Sequence, residues 1–210
     1  VVDLVPTEER VFAVGRLDRS SEGLILVTND GEFANRITHP RYGVEKTYLV
    51  RVAGAPSNEE LQKLRKGVYL SDGFCRVQSI VPKKRHKGST DLVIVLNEGR
   101  NRELRRILAR VGHKVLRLKR IAVGPIKLAD MPVGSWRRLM PNEIDALLAV
   151  AKEKAAAMTA ALGGSLGKVL TIEEEKPGRF MQRLDSNFVS PDEGDRAPED
   201  VASGTMAPGS

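Results

Sequence analysis

The stretch Val14-Gly15-Arg16-Leu17-Asp18-Arg19-Ser20-Ser21-Glu22-Gly23-Leu24-Ile25-Leu26-Val27-Thr28-Asn29-Asp30-Gly31 sets one carboxylate, Asp18, in a polar loop bounded by Gly15 and Gly23. An apolar run follows directly. Leu24 to Val27 reads as a short buried strand, and Asn29-Asp30-Gly31 closes it as a turn. A strand fixed at that point pins the far end of the loop and can hold Asp18 in one orientation. A loop aspartate ordinarily serves its own turn by accepting hydrogen bonds from nearby backbone N–H groups. Two readings therefore stand, a turn residue and a reactive group held at a cleft.

Working outward, Glu32 to Ile37 fits a short helix that Pro40 ends. Val44 to Val52 alternates, with Val44, Tyr48, Val50 and Val52 on one face and Lys46 at the entry, which predicts a half-buried strand. Ser57 to Arg65 fits a helix capped by Ser57, with Leu61 and Leu64 inward. Strands are expected near Phe74 to Val81 and Leu92 to Leu96. Between them Pro82-Lys83-Lys84-Arg85-His86-Lys87-Gly88 reads as a basic loop, either a solvated hairpin tip or a phosphate contact.

From Asn101 the period becomes helical. Leu104, Ile107, Leu108 and Val111 form one stripe, Gly112 stands where a C-terminal glycine belongs, and Arg102, Arg105, Arg106 and Arg110 lie off the stripe. Residues 114–121 read as a strand in which Leu116 and Leu118 alternate with Arg117 and Lys119. A last amphipathic helix begins near Asn142, with Ile144, Leu147, Leu148 and Ala151 inward. The expected organisation is a catalytic domain over residues 1–150, the end of the last helix over 151–161, and a tail over 162–210. Its glycine, acidic, proline and serine content predicts disorder there. Strands without regular strand-helix alternation point to an α+β class.

Composition narrows the function. The 210 residues carry a formal charge of +7, unevenly spread: residues 1–150 hold 27 Lys+Arg against 17 Asp+Glu, and residues 151–210 hold 7 against 10. A basic domain attracts polyanions, although charge alone favours nucleic acid only weakly. The single cysteine, Cys75, rules out an internal disulfide framework and reads as a small core residue of a protein in a reducing compartment. His39, His86 and His113 have no paired-ligand spacing, so no metal site is expected. No segment approaches the ~20 apolar residues of a membrane helix, and the start does not read as a signal peptide. Without a Walker loop or a Gly-x-Gly-x-x-Gly sequence, no nucleotide cofactor is indicated.

Gly15-Arg16-Leu17-Asp18, then Ser21-Glu22-Gly23-Leu24 and Thr28-Asn29-Asp30-Gly31, resemble the signature of the RsuA/RluB/RluE/RluF family of ribosomal RNA pseudouridine synthases. Within it the large-subunit RluB type is the most similar. Glu45-Lys46-Thr47-Tyr48-Leu49-Val50 resembles the family's Lys-x-Tyr strand. Glu98-Gly99-Arg100-Asn101-Arg102-Glu103-Leu104-Arg105-Arg106 and Leu116-Arg117-Leu118-Lys119-Arg120-Ile121 follow in family order. Several separated motifs in order are far more specific than any one of them.

The resemblance implies a mixed, largely antiparallel sheet flanked by helices, with a basic RNA-binding cleft across it. It implies an isomerase that turns a uridine of ribosomal RNA, or of a ribosomal precursor particle, into pseudouridine without a cofactor. Asp18 would attack the substrate, Tyr48 would stack on the uracil, and Arg105 would hold the Asp18 carboxylate ionised. Arg16 is the candidate to fill the space of the extruded base, and Arg19, Arg100, Arg102, Arg106 and Lys119 are candidate RNA contacts. A cytoplasmic monomer acting in ribosome biogenesis is expected. The family's N-terminal S4-like domain and Lys-Pro segment are not seen ahead of Val1, Ser21 replaces the commoner threonine, and Glu103 replaces glutamine. Two other classes compete: a non-catalytic ribosome-assembly protein of the same fold, and a hydrolase using Asp18 as general base.

Overall fold

The computed structural model describes residues 1–97, 99–100 and 102–161. The tail expected over 162–210 lies outside the described residues. Strand β1 (Phe12–Val14) precedes the Asp18 loop, and β2 (Glu22–Gly23) and β3 (Leu26–Thr28) follow it. Helix α1 (Gly31–Thr38) comes next, then β4 (Lys46–Ala53), α2 (Asn58–Lys66), β5 (Val68–Leu70), β6 (Gly73–Cys75), β7 (Ser79–His86) and β8 (Ser89–Leu96). The chain ends its described part with α3 (Glu103–Arg110), β9 (Val115–Val123), β10 (Ile126–Lys127) and α4 (Pro141–Ala161).

The main sheet runs β10-β9-β4-β8-β7, and β2 adds a short parallel pairing to the outer side of β9. All its other pairings are antiparallel. The fold is α+β. Alternation along β4 sends Tyr48, Val50 and Val52 to one face, where they meet Leu92 and Ile94 of β8, Leu61 and Leu64 of α2, and Leu104, Ile107 and Leu108 of α3. Each such side chain, once fully buried, contributes about 1.5–3 kcal/mol relative to exposure, so this layer fixes where α3 lies. A second cluster joins Val14, Leu24, Leu26, Ile37, Val44, Val123 and Leu147, and holds β1, β3, α1 and α4 together.

Helix starts follow the local chemistry. Ser57 and Glu60 form a reciprocal capping box on α2, and Cys75 is a buried core residue. Four expectations change. The apolar run Leu24 to Val27 is strand only in its second half: β2 on β9 ends before it, Leu24 adds one further bond to Arg120, and β3 starts at Leu26 and pairs with β1. A continuous run reports burial, not the number of partners, and Leu24 and Leu26 are both buried. Phe74 to Val81 likewise divides, between a hairpin of β5 with β6 and the start of β7. The basic stretch Pro82 to His86 is strand rather than loop, with only the Lys87-Gly88 turn at its tip. Because β7 is an edge strand with an irregularity at Pro82, the missing proline N–H breaks no interior ladder, and lysines there discourage edge pairing. Finally, Leu116 points to solvent, because a β-bulge skips it between the pairs Arg51 with Arg117 and Val52 with Val115.

Candidate active site

The backbone closes the turn at Asp18: the Ser21 N–H donates to the Asp18 carbonyl at 2.8 Å. Among the described residues the Asp18 carboxylate accepts no hydrogen bond and joins no ion pair. Asp30 behaves differently, since its carboxylate accepts the Phe33 N–H at 2.9 Å and caps α1. The turn-residue reading thus fits Asp30, while Asp18 is left available.

Two anchors hold the loop. On one side, Arg105 of α3 donates from Nη2 to the Ser20 carbonyl at 2.8 Å and lies 3.5 Å from the Ser21 hydroxyl. The family resemblance implies an Arg105 guanidinium beside the Asp18 carboxylate. In the structure its fork reaches the loop backbone two residues on, where the Asp18–Ser21 turn leaves the Ser20 carbonyl open to a donor. On the other side, β2 is tied to Arg120: the Leu24 N–H donates to the Arg120 carbonyl at 2.8 Å, and Arg120 Nε donates to the Leu24 carbonyl at 2.7 Å. The approach is so close that a Cβ on Gly23, which holds φ +115°, would lie 2.2 Å from the Arg120 carbonyl oxygen. Only glycine fits there.

Arg120 is the residue the sequence reading missed. A second bulge, at Ile121, places Arg120 opposite Tyr48 and Val123 opposite Lys46. Had the ladder run regularly, Ile121 would face Tyr48 and Arg120 would fall on the other side of the sheet. No glycine or proline marks that bulge. As built, Arg120 is 5% exposed. Burial raises the Tyr48 hydroxyl above its ordinary value, the charge and hydrogen bonding of Arg120 oppose the rise, and Glu103 and Asp18 add to it. Tyr48 and Asp18 therefore feel each other.

Asp18, Tyr48, Lys46, Arg120, Leu17 and Leu118 line one cavity of about 640 Å³, with Arg100, Arg102 and Glu103 around the start of α3. That volume suits a nucleoside-sized guest, in the ordinary range of ligand sites of about 300–1,000 Å³. Burial, then the charge of Arg120, bring the Lys46 amine down from 10.5 to about 8, and Glu103 pulls it back up. Glu103 is buried and accepts the Arg100 N–H at 3.0 Å. Arg102 enters α3 with φ +47°, a left-handed conformation uncommon for a non-glycine residue.

The other residues singled out by the sequence are scattered. Arg16, Arg100 and Arg102 line the cavity, and Arg19 is exposed inside the Asp18 turn. Arg106 is engaged by Asp72. Lys119 stands in register with Leu49, on the sheet face opposite Tyr48. Among the described residues no cluster of His, Cys, Asp and Glu could hold a metal ion, and no helix is long and apolar enough to cross a membrane.

Residues 2–110 match the sequence profile of RNA pseudouridylate synthases. The chain is 48% identical over 136 residues to an uncharacterized RNA pseudouridine synthase of Aquifex aeolicus, covering 65% of this chain and 55% of that one. It is 38% identical over 145 residues to the ribosomal large subunit pseudouridine synthase B of Bacillus subtilis, covering 68% and 59%. A ribosomal large subunit pseudouridine synthase E of Xanthomonas campestris is 42% identical over 143 residues, with 61% and 76% covered. The chain thus spans less than two thirds of the first two. Among solved structures, a pseudouridylate synthase crystal structure superposes with a TM-score of 0.58 at 30% identity, covering 65% of this chain and 59% of that one.

Proposed function

The chain belongs to the RNA pseudouridylate synthase family, and we propose that it isomerises a uridine of ribosomal RNA, in the large subunit, to pseudouridine with Asp18 as the catalytic carboxylate. The observation that carries this is the Asp18 side chain, left free by its own turn and facing the cavity that Tyr48 also lines. The named relatives support the ribosomal substrate, two of them being large-subunit synthases.

The reaction breaks the C1′–N1 bond, turns the uracil while it is held, and joins C1′ to C5, with a proton lost from C5 and one gained at N1. A stacked base cannot be reached, so the uridine is extruded into the cavity. An aspartate is ionised at neutral pH and leaves readily, which suits it to attack the sugar or to take the sugar proton of a glycal-type route. Tyr48 supplies a stacking face for the uracil and a hydroxyl for proton transfer. Arg105 and the tie between β2 and Arg120 fix the loop, so that Asp18 meets the substrate without a search for its orientation. The RNA backbone is taken up by Arg16, Arg19, Arg100 and Arg102 around a basic mouth. Arg106, engaged by Asp72, and Lys119, across the sheet, stand outside this reading.

Tritium release from ribosomal RNA labelled at uridine C5 tests it. The unaltered chain releases tritium and Asp18→Asn, isosteric but unable to attack, does not. RNA binding without release by either protein would make the chain an assembly factor instead.

A further inference from the structure

Lys46 and Tyr48 are alternate residues of β4 and face the same cavity. Among the described residues Lys46 Nζ has no hydrogen-bond or ion-pair partner, although the residue is half-buried and Glu103 lies across the cavity wall. Several cations of the chain are engaged, Lys154 by Glu45, Arg51 by Asp91 and Arg137 by Glu143, and others such as Arg16 are exposed to water. A structural lysine finds such a partner or reaches water, because an unpaired charge in a partly dry site is costly. Strand geometry separates the Cα atoms of Lys46 and Tyr48 by about 7 Å, within reach of a four-carbon stem bending toward a base held on the Tyr48 ring.

We propose that the Lys46 ammonium stabilises the negative charge that develops on the uracil oxygens while the base is detached from the sugar. This rests on the pseudouridine synthase reading. When the C1′–N1 bond breaks, its electron pair stays with the uracil and spreads over N1, O2 and O4. When C1′ then bonds to C5, the C5 proton leaves and N1 takes one up. No oxidant, reductant or co-reactant enters. A fixed cation at the uracil edge is worth most during the anionic interval, which makes it a group that binds the transition state better than the substrate. A phosphate contact would instead sit at the mouth, where Arg16 and Arg102 are exposed. Lys46 becomes a specificity device as well: it favours a base whose departing charge lies on exocyclic oxygens.

The test compares Lys46→Met, Lys46→Gln and Lys46→Arg with the unaltered chain, in single-turnover tritium release at saturating labelled ribosomal RNA, with RNA affinity measured at several salt concentrations. The Met and Gln variants should lose on the order of 10²-fold in rate and keep both affinity and its salt slope, while Arg recovers part of the rate. On RNA carrying 5-fluorouridine the fluorine itself stabilises the uracil anion. The Lys46→Met defect, read as disappearance of the fluorinated nucleoside, should shrink severalfold there. A Lys46→Met rate within threefold of the unaltered chain overturns the inference. So does a rate that is intact at saturation while the salt slope falls by about 0.7–0.9, since that is a phosphate contact. Release by the unaltered chain in either case leaves the synthase reading standing; no release by the unaltered chain refutes the reading and the role together.

Discussion

Gly23→Ala tests how the fold delivers the Asp18 loop. The added methyl would lie 2.2 Å from the Arg120 carbonyl oxygen and 2.6 Å from the Arg120 nitrogen, both backbone atoms. Arg120 cannot retreat, because its strand is paired with β4 on the other side. Keeping φ near +115° strains alanine by about 1–3 kcal/mol and leaves the overlap with the Arg120 backbone in place, so β2 lifts from β9. Lifting breaks the Leu24 N–H bond to the Arg120 carbonyl and the Arg120 Nε bond to the Leu24 carbonyl. Those two bonds contribute on the order of 1 kcal/mol each, and a buried guanidinium deprived of the Leu24 carbonyl, one of its acceptors, costs about 1–3 kcal/mol more. The expected destabilisation is about 3–5 kcal/mol by these increments, with activity lost as the loop comes free. Urea unfolding gives the first and tritium release the second. A variant within about 1 kcal/mol of the unaltered chain that also retains activity within threefold would refute this account of the loop.

Arg105→Ala should lower single-turnover release at least tenfold without weakening RNA affinity, and Arg105→Lys should recover only part, since an ammonium cannot reproduce the forked contact; Arg110→Ala, exposed on the same helix, should change mainly the salt dependence of binding. Lys46→Met should stabilise the fold at pH 7. The folded protein resists protonation of Lys46 down to about 8 against 10.5, which at about 1.4 kcal/mol per unit bounds the gain at about 3.5 kcal/mol. The unaltered chain regains that stability as pH rises from 8 to 10.5, so the difference in urea midpoint should vanish above 10.5. Asp91 is held well below the usual carboxylate range by hydrogen bonds from Arg51 and by His86. Its contribution is therefore full above the ordinary carboxylate value and is lost as pH falls below it; Asp91→Asn should flatten the acid limb of stability against pH.

The elements whose own residues encode them were legible. The alternation of Val44 to Val52, the Ser57 cap of α2 and the stripe Leu104, Ile107, Leu108 each carry a local pattern that tertiary packing merely uses. The two bulges of β9 carry none, since nothing in Leu116 or Ile121 distinguishes a skipped residue from a paired one. One bulge turned Leu116 outward, and the other brought Arg120 into the cavity. Asp18 and Tyr48 were singled out through motif order, and the structure places both on the wall of one cavity. Arg105 was singled out in the same way, yet its contact could not be: from sequence, a carboxylate and a backbone carbonyl two residues away are equivalent targets for a guanidinium. Lys46 was visible as a strand entry and as part of the Lys-x-Tyr resemblance but not as an unpartnered cation, because lack of a partner is a property of the folded surroundings.

Nucleoside analysis of ribosomal RNA after incubation with the chain tests the central claim most directly. RNA from cells lacking the gene is the substrate, and pseudouridine is mapped position by position. The account predicts one new pseudouridine at a discrete large-subunit site with the unaltered protein, and none with Asp18→Asn even though that variant still binds the RNA. Pseudouridine formed equally by Asp18→Asn, or no new pseudouridine from an RNA that the unaltered chain binds, would contradict it.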